Sequence, residues 1–466
     1  MVFSNTLFIY LFLPLNLLIY FLVKDIKAKN ITLLVFSLIF YSWGEPKWII
    51  LLLFTSIINY YAGIFIEKNK DTKESKKWLI YSIIINLCSL LIFKYTAFIF
   101  ENINELFNLA IKIPDIPFPL GISFYTFHVI SYTVDVYKGH VKAQKSYYKF
   151  LLYISLYPQL VAGPIVRYSQ VEDEIDYRES SIANINDGIN RFIVGLGKKV
   201  LIANVAGKLV EQYMNSNLYD LTVVGAWLGI VMFTIQMYFD FSGYSDMAIG
   251  LGKIFGFKYL ENFNYPYISK SATEFWRRWH ISLGSFFRDY VYIPLGGNKK
   301  NMVANLFIVW LLTGIWHGAS WNFIVWGLYF GIIIYFEKKF ILKILNRIPK
   351  IVSHIYLLIV IVIGWTIFYF TNLTDSIKYL RIMFGLSNNS IINTETKLEI
   401  VNNIFWIILA LIGTTPILPY IKRKILEKDR EYILTILVVI INVMILILST
   451  AMLIGDSYNP FLYFRF

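Results

Sequence analysis

The sequence predicts an all-α membrane protein that crosses the bilayer many times. Its 466 residues are 57% hydrophobic and 16% charged, whereas water-soluble domains carry roughly 25% charged residues. The apolar residues gather in long runs, and ~20 of them span the ~30 Å hydrocarbon core of a bilayer. Too few polar residues remain to cover the surface of a soluble protein. Predicted spans include Ile49–Ile66, Trp78–Phe93, Ile351–Phe370, Val401–Tyr420 and Tyr432–Ile454.

The N-terminal run, Met1–Val23, is predicted to be the first span. It has no basic n-region and no small-residue cleavage site, so a cleavable signal peptide is not expected. The net charge of +13 falls mainly on short loops between apolar runs, which is typical of cytoplasmic loops. We therefore predict contact with the lipid bilayer and no nucleic-acid partner. Cys88, the one cysteine, lies in an apolar run and is expected to be a small core residue.

Loop charge predicts the orientation of the chain. The loops Glu67–Lys77, Glu337–Lys350 and Lys422–Arg430 are strongly basic, and basic loops tend to stay in the cytoplasm. Alternation of the spans then puts Thr371–Glu399 and Gly455–Phe466 outside. Both termini are therefore expected to be extracytoplasmic.

The middle of the chain, from about Pro119 to Trp326, has a different pattern. Its apolar runs are short and are interrupted by Gly, Pro, Arg, Asp and His. Irregular backbone and charge persist at membrane depth only where protein or a water-filled cavity surrounds them. We predict short, tilted or re-entrant helices that line a cavity, with the outer spans as its wall. The single predicted domain, 1–466, comprises N-terminal helices 1–117, a catalytic core 118–336, C-terminal helices 337–454 and an extracytoplasmic segment 455–466.

His317 is the first candidate for chemistry. It lies between two apolar runs whose outer flanks are both basic, so these runs are expected to form a hairpin with His317 near its turn, deep in the membrane. Gly314 and Gly318 permit close backbone approach or a broken helix. Trp316 and Trp321 are expected to wall the site. An imidazole there can take a proton from a substrate hydroxyl and return it; the alternative is a histidine that only hydrogen-bonds a neighbour.

His280 is the second candidate, in the amphipathic stretch Ser271–Ser282. Arginines beside large aromatics suit an interfacial or re-entrant helix. These arginines also suit the phosphate of an acyl carrier or coenzyme, and the alternative is ordinary snorkelling and ion pairing. The candidate donor-binding residues are Trp276, Arg277, Arg278, Trp279 and Arg288. The remaining histidines are expected to be structural or incidental: His128, His140 and His354.

Two polar clusters stand out in apolar surroundings. One contains Asp240, Ser242 and Asp246, and the other has Gln159 and Arg167 around a Gly-Pro break. Buried charges need partners, so an Asp–Arg network that braces the cavity is one interpretation and direct contact with substrate is the other. The sequence shows no metal-ligand spacing of Cys and His, no Ser nucleophile elbow and no Gly-rich phosphate loop. No metal is therefore expected.

Motifs along the chain carry a family resemblance: Phe239–Gly250, Glu261–Tyr267, Phe275–His280 and Trp316–Gly318. Together they look like the membrane-bound O-acyltransferases (MBOAT). Within that family they look most like the alginate O-acetyltransferase branch, which also acetylates peptidoglycan and other exported polysaccharides. The segments Phe40–Pro46, Pro119–Phe124 and Pro158–Arg167 resemble that branch too, so the similarity covers nearly the whole chain.

The resemblance implies a ring of transmembrane helices around a central funnel, entered from the cytoplasm by an acyl donor. It implies that His317 is the catalytic histidine and His280 a second, cytoplasmic-side histidine, with Trp316 and the polar clusters lining the funnel. The donor, acetyl-CoA or an acyl carrier, is a co-substrate, so no bound cofactor is expected. The implied function is O-acetylation of an exported or cell-wall polysaccharide across the bacterial cytoplasmic membrane. An extracytoplasmic SGNH-hydrolase-like protein is the expected partner.

The C-terminal residues Phe461–Phe466 resemble the tyrosine-bearing motif of the small partner protein in teichoic-acid D-alanylation. There a tyrosine carries the acyl group onward, which makes Tyr463 a candidate covalent relay; the alternative is an aromatic interfacial anchor. Two other functions stay open at this point. One is D-alanyl transfer from a carrier protein. The other is a transporter or export channel, since broken helices with buried charges also fit transporters.

Overall fold

The chain is described by a computed structural model that covers residues 1–427, 431–455 and 461–462. Every regular element within these residues is helical, and no strand occurs among them. The predicted all-α class is therefore confirmed. The helices of the N-terminal part are α1 (Leu13–Leu22), α2 (Ile26–Gly44), α3 (Ile49–Lys68), α4 (Lys73–Phe107), α5 (Ile122–Lys138), α6 (Tyr147–Ser155), α7 (Tyr157–Leu160), α8 (Glu172–Asp176), α9 (Ile182–Gly197) and α10 (Asn204–Met214). The helices that follow are α11 (Val223–Phe255), α12 (Ala272–Phe275), α13 (Ile281–Phe287), α14 (Met302–His317), α15 (Trp321–Phe336), α16 (Leu342–Leu345), α17 (Lys350–Tyr369), α18 (Leu373–Met383), α19 (Thr394–Gly413), α20 (Ile417–Leu426) and α21 (Glu431–Gly455).

Within the described residues, 6 helices are long and apolar enough to cross a membrane: α3, α4, α11, α17, α19 and α21. Their burial differs widely. The most apolar stretches of α19 and α21 are each 11% buried, whereas that of α11 is 61% buried. An apolar surface as exposed as that of α19 or α21 needs lipid around it, because water would not solvate it favourably. The protein is therefore a multi-pass membrane protein.

Several predicted boundaries are wrong in detail. The N-terminal apolar helix covers only Phe8–Leu22 and is shorter than the 6 long spans among the described residues. The run Val401–Tyr420 is not one helix, because α19 ends at Gly413 and α20 begins only after Pro416. Proline has no backbone N–H and clashes with the preceding turn, which ends a helix. Cys88 is exposed on α4 rather than buried in the core.

Helix α11 corrects the prediction that the middle of the chain consists of short helices. It runs without interruption for 33 residues, although its sequence contains several glycines. These glycines allow neighbouring helices to approach closely. A Cβ at Gly243 would lie 2.8 Å from the carbonyl oxygen of Gly195, and one at Gly250 would lie 2.6 Å from that of Gly188. The glycines are therefore contact positions inside a helix rather than helix breaks.

The chain divides into two compact units. The first comprises Met1–Phe192 with Tyr244–Glu261. Within it, α3 and α4 pack side by side through buried amides, since the Asn86 Nδ2 group donates to Asn59 Oδ1 at 2.9 Å. Such hydrogen bonds hold membrane helices together where the hydrophobic effect does not. The second unit comprises Ile193–Gly243 with Asn262–Phe466, and both candidate histidines belong to it.

Candidate active site

The hairpin that carries His317 forms as the sequence predicts. Helix α14 ends at His317, and α15 begins after a short turn. The two helices are in backbone contact because of their glycines: a Cβ at Gly314 would lie 2.3 Å from the carbonyl oxygen of Phe323. The extended backbone of Gly318 ends α14 directly after the histidine. The close approach of the helices therefore fixes where the imidazole lies.

His317 is enclosed by aromatic rings and is only 7% exposed. Its ring centroid lies 4.9 Å from that of Trp326, 5.1 Å from Phe368 and 5.0 Å from Trp316. Trp321, which was also expected to wall the site, is 54% exposed, and Trp326 takes that position instead. Apolar walls strengthen any hydrogen bond that the imidazole makes to a substrate, since little water competes for it.

His280 lies at a break in the backbone. The stretch Ser271–Ser282, which was predicted to suit an interfacial or re-entrant helix, is not one helix, because α12 stops at Phe275 and α13 starts at Ile281. The φ and ψ angles of His280 are 44° and 54°, a left-handed conformation that a right-handed helix cannot contain. This turn separates α12 from α13.

Asn262 fixes the orientation and the tautomer of His280. The Asn262 Oδ1 atom accepts hydrogen bonds from the backbone N–H of Ser282 at 3.1 Å and from its hydroxyl at 2.9 Å, so this atom is the oxygen. It lies 3.2 Å from His280 Nδ1, which must therefore donate. Nε2 is then the acceptor nitrogen. Burial lowers the pKa of His280 to about 3, so the imidazole is neutral at physiological pH.

Trp316 connects the two histidines. The centroid of its ring lies 6.0 Å from that of the His280 ring and 5.0 Å from that of the His317 ring. Trp316 is only 4% exposed. Phe241 of α11 packs against His280 at 4.6 Å between ring centroids. Both imidazoles therefore belong to one continuous aromatic cluster within the second unit.

A cavity of about 610 Å³ opens beside His280. This volume falls in the range of ordinary small-molecule sites. Its lining includes candidates that the sequence predicted: Trp276, Arg277, Trp279, His280 and Arg288. It also includes polar residues that sequence reasoning missed: Thr273, Ser285 and Thr313. The cavity thus combines aromatic walls, hydroxyl groups and cationic side chains.

The arginines near His280 have different roles. Arg277 is exposed and lines the cavity, and Arg288 lines it while pairing with Asp289 at 2.6 Å. Arg278 is not among the lining residues and instead pairs with Glu274 at 3.1 Å. Arg277 and Arg288 are therefore the cations that an anionic ligand would meet, whereas Arg278 has the ordinary ion-pairing role.

Glu337 positions the segment that leads to His280, and no sequence pattern predicted this role. This glutamate is fully buried and accepts hydrogen bonds from the backbone N–H groups of Ala272 and Thr273, both at 2.7 Å. These are the first N–H groups of α12, which have no partner within the helix. The carboxylate therefore caps the turn on which Trp276 lies.

Asp240 has partners of its own within the second unit. It forms an ion pair with Lys199 at 2.5 Å, and the two side chains are only 2% and 4% exposed. Its other oxygen accepts the backbone N–H of Leu462 at 2.7 Å. Ser242 is also buried in α11 and is absent from the lining of the cavity. The bracing interpretation therefore fits Asp240, with a lysine where an arginine was expected.

The remaining members of the polar clusters belong to the first unit. Asp246 forms an ion pair with Arg191 at 2.7 Å. Gln159 is fully buried and donates to the carbonyl oxygen of Tyr153. Arg167 is partly buried and precedes a short 3₁₀ turn. Asp246 and Gln159 therefore have structural partners within the first unit.

The positions of the other histidines fit the structural or incidental roles predicted for them. The backbone N–H of Val166 donates to His128 Nε2 at 3.3 Å. His140 is exposed beside Asp135, and His354 Nδ1 lies 2.9 Å from the carbonyl oxygen of Ser269.

Tyr463 lies outside the described residues. The residues directly before it, Phe461 and Leu462, are 2% and 6% exposed. The ring of Phe461 lies 6.1 Å from that of Phe241. Phe241 is the residue that packs against His280. The chain therefore approaches the candidate site directly before Tyr463.

Comparison with known proteins identifies similar families and relatives. The family model described as "MBOAT, membrane-bound O-acyltransferase family" matches residues 138–375, a stretch that contains both His280 and His317. A relative from Pseudomonas aeruginosa named "Probable alginate O-acetylase AlgI" is 39% identical over 83% of this chain and 75% of its own. A peptidoglycan O-acetyltransferase from Helicobacter pylori is 34% identical over 84% of this chain and 81% of its own. A teichoic acid D-alanyltransferase from Bacillus subtilis is 33% identical over 47% of this chain and 60% of its own.

Proposed function

This chain belongs to the membrane-bound O-acyltransferase family, and from that premise we propose that it transfers acetyl groups from a cytoplasmic donor to an exported or cell-wall polysaccharide. It is an O-acyltransferase of the membrane that modifies polysaccharides. The acetyl group, the donor and the outward direction of transfer are the parts proposed here. The bacterial cytoplasmic membrane is the proposed location.

One observation carries the proposal: His317 lies in a closed aromatic pocket, and Trp316 connects it to His280, which opens onto a cationic cavity. Arg277 and Arg288 suit the phosphate groups of acetyl-CoA or of a carrier's phosphopantetheine arm, because guanidinium groups bind phosphate through paired hydrogen bonds. Entry of this donor from the cytoplasm is part of the proposal and is what the family resemblance implies.

In the proposed reaction His317 acts as a general base. The imidazole takes the proton of the acceptor hydroxyl, the hydroxyl oxygen bonds to the acyl carbon, and the carbon–sulfur bond of the donor breaks. The imidazolium then returns its proton to the leaving thiolate, so that charge and protons balance. The neutral His280, held by Asn262, lies on the donor side, where its Nε2 atom can accept a hydrogen bond from the donor molecule.

The outward half of the transfer is proposed to pass through Tyr463, whose phenol would carry the acyl group as an ester. The contact of Phe461 with Phe241 supports this route, because it brings the chain that precedes Tyr463 close to the aromatic cluster. An extracytoplasmic SGNH-hydrolase-like protein is the proposed recipient. The polysaccharide then receives the acetyl group from that partner or directly.

Mass spectrometry of cell-wall and extracellular polysaccharides tests the function. Cells that produce the wild-type chain should carry acetyl esters on one polymer, and cells with His317→Ala at equal protein level should lack them. D-alanyl esters in place of acetyl esters would support the second candidate function, which the similarity to the Bacillus subtilis D-alanyltransferase favours. Full acetylation by the His317→Ala variant would contradict the proposed mechanism.

A further inference from the structure

Helix α20 (Ile417–Leu426) has no buried residue. It connects α19 to α21, whose most apolar stretches are each 11% buried. A helix of 10 residues is marginal in water without tertiary packing, and burial against the protein does not stabilise this one. A surface outside the chain is therefore expected to cover α20. The function proposed above does not use this helix.

The apolar side chains of α20 form one stripe. They follow the spacing of a single helix face: Ile417, Leu418, Ile421 and Ile425. The first three of them are 44%, 63% and 46% exposed. Large aliphatic side chains gathered on one face of an exposed helix are unfavourable in water. The stripe therefore suits an apolar medium.

Three cations occupy the rest of the helix surface. At 3.6 residues per turn, Lys422 and Lys424 flank the stripe and Arg423 lies opposite it. Glu427 lies 2.8 Å from Lys424 and 3.6 Å from Arg423, whereas Lys422 has no ion-pair partner in the described part of the chain. The helix and Glu427 together are therefore net positive, which suits an anionic partner.

Phospholipid headgroups fit both features of α20. Its neighbours α19 and α21 expose apolar surface that needs lipid, so α20 continues a lipid-facing surface at the point where two spanning helices end. An amphipathic helix in such a place lies along the bilayer, with its apolar face at the acyl boundary and its basic residues among the headgroups. Lysine suits this position because its stem lies on apolar surface while its ammonium group reaches the headgroup. The loop that contains α20 is predicted to be cytoplasmic from its charge.

The end of α19 connects α20 to the interior of the second unit. A Cβ at Gly413, the last residue of α19, would lie 3.0 Å from the ring of Phe239 in α11. The indole N–H of Trp406, also in α19, donates to the carbonyl oxygen of Leu201 at 3.0 Å. A partner that holds α20 in place therefore also holds the end of a helix that packs against α11.

We propose that α20 is an in-plane interfacial helix that binds anionic phospholipid headgroups, with Lys422 as the principal cation and Lys424 beside it. The headgroup phosphate accepts hydrogen bonds from these ammonium groups, and the apolar stripe lies against the acyl chains. The site anchors the hairpin of α19 and α21 at the predicted cytoplasmic surface. This proposal does not depend on the acyl-transfer reaction.

Fluorescence of the full chain in lipid nanodiscs tests the orientation of α20. The one native cysteine is removed by Cys88→Ser, and a nitrobenzoxadiazole label is attached through Ile421→Cys in the stripe. Arg423→Cys, opposite the stripe, gives the matched control. The label at position 421 should emit at shorter wavelength than the label at position 423, and nitroxide-labelled lipids should quench it several-fold more strongly. Equal emission and equal quenching at the two positions would overturn the proposed orientation.

The same label tests the selectivity for anionic headgroups. Quenching by nitroxide-labelled phosphatidylglycerol, compared with nitroxide-labelled phosphatidylcholine, reports the local ratio of the two lipids at position 421. Phosphatidylglycerol should be enriched there, and Lys422→Gln should lower the enrichment about 5-fold, the factor that corresponds to ~1 kcal/mol per cation at an anionic surface. Lys397→Gln removes an exposed charge near the opposite end of α19 and should leave the enrichment unchanged.

Each contrary outcome overturns the proposal in a different way. Absence of phosphatidylglycerol enrichment, or enrichment insensitive to Lys422→Gln, would show that no anionic headgroup is bound at α20. An equal loss in Lys397→Gln would show a general effect of protein charge rather than a site. A label at position 421 that neither lipid quenches, but that an added soluble protein shields, would assign α20 to a protein interface instead.

Discussion

The ion pair between Lys199 and Asp240 makes a strong prediction, because both charges are buried in an apolar unit. The Lys199 Nζ atom lies 2.5 Å from Asp240, and the side chains are 4% and 2% exposed. Asp240→Leu leaves the ammonium group buried without its counter-ion, which costs roughly 3–5 kcal/mol of unfolding free energy. It also removes the acceptor of the Leu462 N–H group, worth about 1.5–3 kcal/mol for a charged acceptor.

The double variant Lys199→Met with Asp240→Leu separates these contributions. Both charges are then absent, so the cost of an uncompensated buried charge disappears. The remaining loss should be close to that of the Leu462 hydrogen bond, about 1.5–3 kcal/mol. The double variant should therefore be more stable than Asp240→Leu alone.

Denaturant unfolding of purified protein in detergent measures this cycle, with near-ultraviolet circular dichroism as the probe. Each single variant should lower the midpoint strongly, and the double variant should recover part of the loss. Additive losses in the double variant would refute the reasoning, since they would show that the two charges do not interact. A stability of Asp240→Leu within about 1 kcal/mol of wild type, the range of an exposed pair, would refute it as well.

Three further outcomes are expected. Burial lowers the pKa of His280 to about 3, and the unfolded imidazole has a pKa of about 6.5. As the pH is lowered below ~6.5, the unfolding free energy of the wild type should therefore fall by about 1.4 kcal/mol per pH unit relative to that of His280→Gln. Parallel pH profiles of the unfolding free energy for the two proteins would contradict this. Gly314→Ala should destabilise the chain by about 1–3 kcal/mol because of overpacking, as its Cβ would lie 2.3 Å from the Phe323 carbonyl oxygen. Gly331→Ala, whose Cβ would have its nearest neighbour at 3.3 Å, should cost less; equal thermal midpoints of the two variants would contradict this. Tyr463→Phe should abolish polymer acetylation at unchanged protein level, and normal acetylation would end the relay hypothesis.

The outer helices could be predicted because the thickness of the bilayer sets the length of the apolar run that a spanning helix needs. Helices α3 and α17 start and end within a residue or two of the predicted runs Ile49–Ile66 and Ile351–Phe370. The position of His317 at a hairpin turn could also be predicted. The two apolar runs around it have basic outer flanks, so both flanks are expected in the cytoplasm and the chain must turn back between them.

The interior could not be predicted as well, because its backbone depends on contacts distant in sequence. The glycines of α11 look like helix breaks in the sequence, but they are places where another helix touches. The left-handed backbone of His280 is held by Asn262, and Glu337 caps α12 from a position 65 residues away. Periodicity reports which face of a helix is apolar, but it does not identify which distant polar group meets that helix end.

The measurement that tests the central claim most directly is acyl transfer by the purified chain in proteoliposomes loaded with an isotopically labelled acetyl thioester. The wild-type protein should release the thiol in a single turnover. The label should then appear on the protein or on an added acidic polysaccharide. His317→Ala should abolish this transfer, and His140→Ala, which replaces an exposed histidine, should leave it unchanged. Transfer by His317→Ala at the wild-type rate would contradict the assignment of His317 as the catalytic base.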